Sequence, residues 1–236
     1  MTIQDEFIST VSHELRTPLT SIRGFSQTLL SSWDKLDEET KKKFIGIIEE
    51  QSDRLINLVE NILTVSKLNV DKPVFRSVNV NNTADKIIQM LSLKYKNHKI
   101  IKVFDKKLPP ARVDEDKLQQ ILTNLIDNSG KYSPEGTTIA VTTEVNDNNI
   151  IIKIKDEGVG IDQKDLDKIF DKFVRLENHL TSKTQGNGLG LYITKNLVES
   201  MNGKISVKSV LNSGTEFELR FPVYNTEEAM QCSLQS

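Results

Sequence analysis

In the stretch Ser9–Ile22, "STVSHELRTPLTSI", a histidine and a glutamate stand side by side, with a threonine and a proline one turn further on. A neutral imidazole is a nucleophile once a base takes the proton from its second ring nitrogen, and Glu14 is the carboxylate nearest His13. With a reference pKa of about 6.5, an exposed histidine is mostly neutral near pH 7. Thr17 adds a hydroxyl on the same side of a helix, and Pro18 removes a main-chain hydrogen bond, which predicts a bend there. Singly, each residue has an ordinary reading: a surface histidine, a solvated charge, an inert helical threonine, a simple kink. Direction separates the readings. At about 100° per residue, Val11, Leu15, Ile22 and Leu29 fall within about 40° of one another, and His13 lies about 200° from Val11. His13 is therefore expected to face solvent and not the core.

Three later segments could hold the second reactant. "DEGVGI", Asp156–Ile161, follows the apolar run "NIIIKIKD". Gly158 and Gly160 after a strand let the backbone approach a ligand, and Asp156 can accept a hydrogen bond there. "GNGLGL", Gly186–Leu191, opens a further helix. Closely spaced Gly186, Gly188 and Gly190 at a helix start suit phosphate binding by main-chain N–H groups. In "LQQILTNLIDNSGKYSPEG", Asn124 and Asn128 share a helix face and Lys131 follows one turn later. An amide oxygen is a hard ligand suited to Mg²⁺ shared with substrate phosphates, and Lys131 can meet phosphate charge. Each motif alone is weak. GxG turns are common, an asparagine pair also reads as surface polarity, and neither the P-loop "GK[ST]" nor an early βαβ dinucleotide motif is present.

The elements that must position these residues fall into two textures. Residues 1–70 carry apolar positions three and four apart (Phe7, Val11, Leu15, Pro18, Ile22, Phe25, Leu29, then Phe44, Ile48, Leu55, Leu58, Ile62, Leu68). They predict an antiparallel α-helical hairpin with Asp37 as N-cap of the second helix. Two helices cannot bury such a stripe alone, so a homodimeric four-helix bundle is expected. After "NVDKPVF", short β-rich runs (among them 137–145, 149–156, 203–210 and 215–222) alternate with helical runs at 81–96, 114–131 and 188–202. This predicts an α/β sandwich with a mixed, largely antiparallel sheet. The domains read as 1–70, 71–223 and a polar tail, 224–236.

Composition narrows the classes. The 236 residues suit two domains, and a net charge of −2 supplies no basic field for nucleic acid or anionic membrane. No apolar run reaches the roughly 20 residues of a membrane span, and "MTIQDEF" does not read as a signal peptide. The single cysteine, Cys232, lies in the tail, so no disulfide framework exists and a reducing cytoplasm suits the chain.

Together these segments resemble the sensor histidine kinases of two-component signalling, from Phe7 to Pro222. "SHELRTPL" resembles the family's H box, "NLIDNSGKYSPEG" its N box and "DEGVGI" its first glycine box. "IFDKFVR" resembles its F box, "GNGLGL" its second glycine box, and "SGTEFELRFP" its closing strand. The resemblance implies that His13 accepts a phosphoryl group from ATP while Glu14 orients and activates it. By the same resemblance Asp156 meets the adenine amino group near Gly160 and Thr215, and Asn128 holds Mg²⁺ with Asn124 beside it. Lys131, Tyr132 and Arg175 steady the triphosphate. Gly186, Gly188, Leu189 and Gly190 hinge and anchor a lid over about 171–187, and the segment around Pro73 acts as the hinge between domains.

The implied partner is the receiver domain of a response regulator. The "ELRT" pattern implies that Thr17 also positions water for the reverse, phosphatase reaction. The chain is expected in the cytoplasm, as a soluble kinase or as the cytoplasmic portion of a membrane sensor. A silent nucleotide-binding dimeric scaffold is the alternative, and an ATPase clamp would leave His13 unexplained. One departure is Ser129-Gly130, where the family has alanine and an aliphatic residue. Glycine there costs the helix about 1 kcal/mol and is expected to loosen the placement of Lys131.

Overall fold

The computed structural model describes residues 3–68, 70–176 and 186–224, with side chains from Ile8 onward. The expected lid falls largely on 177–185 and the expected tail on 225–236, both outside the described residues. Two long helices come first, α1 (Ile3–Ser32) and α2 (Glu38–Lys67), joined by a single 3₁₀ turn at Trp33–Lys35. Asp37 caps α2, its carboxylate accepting from the Thr40 amide at 2.7 Å. The helices pack along the apolar stripe, with the Phe25 and Phe44 rings 5.0 Å apart. α1 runs through Pro18 as one helix, and Pro18 is buried on the packed side.

The second body contains β1 (Arg76–Val78), α3 (Val80–Lys94), β2 (Lys99–Phe104), β3 (Ala111–Val113), α4 (Glu115–Lys131), β4 (Thr138–Asn146), β5 (Asn149–Asp156), α5 (Gly190–Ser200), β6 (Lys204–Val210) and β7 (Gly214–Pro222). Its main sheet has the order β2-β4-β5-β7-β6, with β2 parallel to β4 and every other pair antiparallel. The mixed, largely antiparallel sandwich read from the sequence is the fold observed. Strand β3, which pairs with β1 in a separate two-stranded sheet, was not anticipated.

Helix α4 is the keel of this body. Asp114 caps it through the amides of Asp116 and Lys117, and Leu118, Ile121, Leu122, Leu125 and Ile126 are all fully buried against the sheet. At about 1.5–3 kcal/mol per buried aliphatic side chain, that stripe outweighs a glycine near the helix end. The helix stays regular to Lys131. The hairpin joins the same core: Leu58 is buried in it, with Leu15, Ile62, Val65 and Leu68 packed alongside.

Candidate active site

Because the buried stripe of α4 fixes its rotation, the polar side of the helix is turned to a cavity of about 980 Å³. Asn124, Asn128, Lys131 and Tyr132 line it, with Asp156, Gly160, Arg175, Gly186, Gly188, Gly190 and Thr215 from other elements. Helix α2 closes one side through residues that include Arg54 and Asn57.

Asp156, 5% exposed at the end of β5, sits at the floor. Its Oδ1 accepts from the amides of Gly158 (2.9 Å) and Thr215 (3.0 Å), and its Oδ2 accepts from the Ser129 hydroxyl at 3.2 Å. Burial pushes its carboxyl above the ordinary range, and those three donors act against the rise. Gly160 has φ +65°, and a Cβ there would lie 2.0 Å from the Val210 carbonyl oxygen, so no other residue fits the loop. The Thr215 hydroxyl is 2.9 Å from that of Ser209, a buried residue that also receives the Ile161 amide at 2.8 Å.

Where α4 faces α5, Asn124 donates from Nδ2 to the Thr194 hydroxyl at 2.8 Å. Its Oδ1 comes so close to Gly190 that a Cβ there would be 2.4 Å away. Asn124 thus braces α4 against α5, whereas the Asn128 amide makes no hydrogen bond to a described side chain or backbone group and lines the cavity. Leu189, fully buried, donates its amide to the Asn187 side chain at 3.1 Å as α5 begins. The Phe173 amide donates to the Gly188 carbonyl at 2.9 Å, and both residues have φ above +60°. This cross-tie joins the two ends of segment 177–185.

Lys131 is not loosened by its neighbouring glycine. Its ammonium lies 2.5 Å from Asp127 Oδ2, and Lys94 lies 2.6 Å from Asp127 Oδ1. Burial works against the Asp127 anion, but Lys131, Lys94 and the Tyr95 hydroxyl outweigh it and hold the carboxyl below its usual range. Lys94, Tyr95, Asp127 and Ser209 were not singled out from the sequence, and Ser129 only as a departure from the family pattern.

The histidine stands apart from the cavity. His13 is exposed on α1 and is not among the cavity-lining residues. Glu14 beside it is half-buried and accepts from Arg54 Nη2 at 3.3 Å, so a residue that lines the cavity also bonds the histidine's neighbour. The Thr17 hydroxyl donates back to the His13 carbonyl at 3.3 Å. Among the described residues no cluster of His, Cys, Asp or Glu forms a metal cage. The donor set fits Mg²⁺ only in its phosphate-sharing form, one amide oxygen from Asn128 with the remaining ligands from substrate and water.

A helical hairpin bearing a solvent-facing histidine, followed by a sandwich with a glycine-lined cavity, defines a class of two-part phosphotransfer protein. Residues 3–70 match the family model of the His Kinase A (phospho-acceptor) domain. Residues 113–225 match that of the histidine kinase-, DNA gyrase B- and HSP90-like ATPase. The chain belongs to the sensor histidine kinase family. It is 34% identical over 234 residues to the sensor histidine kinase WalK of Bacillus subtilis, an alignment covering 94% of this chain and 37% of the relative. To the sensor protein kinase WalK of Staphylococcus aureus it is 36% identical over 221 residues, covering 92% and 53%. The chain thus spans between about a third and a half of these relatives. Among solved structures, histidine kinase AdeS of Acinetobacter baumannii superposes with TM-score 0.70 at 26% identity, over 90% of this chain and 98% of that one. Histidine kinase ThkA in complex with the response regulator protein TrrA superposes with TM-score 0.75 at 26% identity, over 93% and 61%. No described helix is long and apolar enough to cross a membrane.

Proposed function

We propose that this chain is an ATP-dependent protein histidine autokinase that passes its phosphoryl group to an aspartate of a response regulator. Its working parts are a phosphoacceptor hairpin, 1–70, an ATP-binding body, 71–223, and a tail, 224–236. The observation that carries the reading is the pairing, in one chain, of an exposed His13–Glu14 dyad with a cavity floored by Asp156, both touched by Arg54. In the transfer, a His13 ring nitrogen attacks the γ-phosphorus in line, the bond to the bridging oxygen breaks and ADP leaves. The protein contributes mainly position and charge neutralisation. Glu14 holds the N–H of the second ring nitrogen as positive charge develops there. Lys131 and Arg175 meet the phosphates, and Asn128 would hold a Mg²⁺ ion, which would supply further charge neutralisation there.

Because His13 lies outside the cavity, the bodies must rearrange before transfer. Segment 70–75, tied to α4 where the Val74 amide donates to Asp114 Oδ2 at 2.9 Å, acts as the hinge. The phosphoryl group then moves from His13 to a receiver-domain carboxylate; the TrrA complex of the related ThkA supports that class of partner. Thr17 positions water against the phosphorylated partner in the reverse reaction. The hairpin pairs with a second copy, and the assembly works in the cytoplasm as the transmitter of a larger sensor.

Incubation with γ-labelled ATP and Mg²⁺ tests the reading. Wild type is expected to acquire acid-labile, alkali-stable label and His13→Gln none. Unlabelled wild type that still binds ATP would support the silent scaffold instead, and a labelled His13→Gln would move the acceptor elsewhere.

A further inference from the structure

Ser129-Gly130 departs from the family pattern, and both residues have partners that account for them. Ser129 is 2% exposed, lines the cavity and donates to Asp156 Oδ2. A carboxylate offers about four acceptor positions. Two main-chain amides occupy Oδ1 and the serine takes one position on Oδ2. The position left over is on the same oxygen that Ser129 holds, so the serine decides which lone pair of Oδ2 stays free.

The helix cannot slip beneath Ser129. The Tyr95 ring fills the space beside Gly130, where a Cβ would come within 2.7 Å of three ring atoms. Its hydroxyl donates to Asp127 Oδ1 (2.7 Å) and lies 3.1 Å from the Asp127 carbonyl oxygen. Burial, with Asp127 adding to it, raises the Tyr95 phenol far above neutrality, so it remains a donor. Tyr95 thus grips α4 on both sides of Ser129.

We infer that Ser129 is a positioning residue for base specificity: it aims the remaining lone pair of Asp156 at an exocyclic amine of the nucleotide. A 6-oxo base puts an acceptor at that point and is bound more weakly, because two acceptors face each other without a proton. This rests on the nucleotide-binding reading above.

Calorimetry with Mg²⁺ on the full chain separates the two ideas, comparing ATP with inosine triphosphate, which has an oxo group in place of the amine. Wild type is expected to prefer ATP. Ser129→Ala is expected to bind ATP about tenfold more weakly, the size of one hydrogen bond to a charged group, and inosine triphosphate within twofold of wild type. Retained binding of the inosine nucleotide also certifies the fold. Unchanged ATP affinity in Ser129→Ala overturns the inference, as does an equal loss for both nucleotides, which would mean only a disturbed helix. Wild type that binds neither triphosphate removes the nucleotide reading as well.

Discussion

The hairpin and the sandwich spend their apolar residues differently. Within the sandwich, α4 alone buries five aliphatic side chains completely, and α3, α5 and the sheet add many more. Among the described side chains of the two hairpin helices only Pro18, Leu29 and Leu58 are buried, and Leu58 is so by joining the sandwich core. Meanwhile Leu19, Leu30, Ile45, Ile56, Val59 and Leu63 remain exposed. On α2, Ile45, Ile56, Val59 and Leu63 fall within about 40° of one face. A complete core can hold the side chains that line a cavity in fixed places. An incomplete one leaves apolar surface uncovered and its histidine, His13, open to solvent.

The largest expected effect comes from charging that apolar surface. Ile56→Asp is expected to convert a dimer into monomers in sedimentation velocity, because an unpaired buried charge costs about 3–5 kcal/mol. ATP affinity of the sandwich is expected to stay within twofold. A variant that remains dimeric would show that the exposed stripe of α2 is not the interface and would break the comparison at its root.

Two carboxylates, one on α4 and one bonded to it through Ser129, sharpen it next. Asp127 is held low by its lysines and Asp156 is raised by burial. A depressed carboxyl stabilises the fold above the ordinary carboxylate range, and that contribution is lost as pH falls through its lowered value. A raised one does the reverse: it favours the fold when protonated and becomes a cost as pH rises through its elevated value. In pH-resolved thermal melts Asp127→Asn is expected to lose about 1–3 kcal/mol at neutral pH and little in strong acid. Asp156→Asn is expected to be neutral or stabilising at pH 7 while losing most ATP affinity. Parallel pH profiles for the two variants would contradict the assignment of Asp156 as a group strained for binding.

How far these features could be read from sequence follows the range of the interaction. Helical phase turned His13 outward and Leu15 inward because both facts are encoded within two turns. The caps at Asp37 and Asp114 and the hairpins β4–β5 and β6–β7 are equally local. Strand β3 is three residues behind Pro109-Pro110, too short for alternation to register, and its partner lies over thirty positions upstream. The Tyr95 hydroxyl reaches Asp127 across 32 positions, and Ser129 reaches Asp156 across 27. No periodicity reports such pairings. Gly130 is instructive, since propensity counted it as a loss to the helix, whereas the packed structure uses the missing side chain to seat an aromatic ring.

Arg54 joins the two regions, and its removal is the mildest test of how they cooperate. It reaches Glu14 across 40 positions, with both side chains about a quarter exposed, so the pair contributes under about 1 kcal/mol to stability. Its larger effect is on position, because its hydrogen bond ties the Glu14 carboxylate next to His13. Ordering a glutamate side chain costs up to about 2 kcal/mol, and about 1.4 kcal/mol of that cost falling on the transfer step is tenfold in rate. Arg54→Ala is therefore expected to slow labelling of His13 by up to about tenfold, to shift the thermal midpoint little and to leave ATP affinity unchanged. Arg54→Lys keeps the charge but not the planar fork, and partial recovery in that variant would separate charge from geometry. Faster labelling in Arg54→Ala would mean that the guanidinium restrains Glu14 and does not present it, making the docked arrangement of α2 against the cavity a resting state of the kinase.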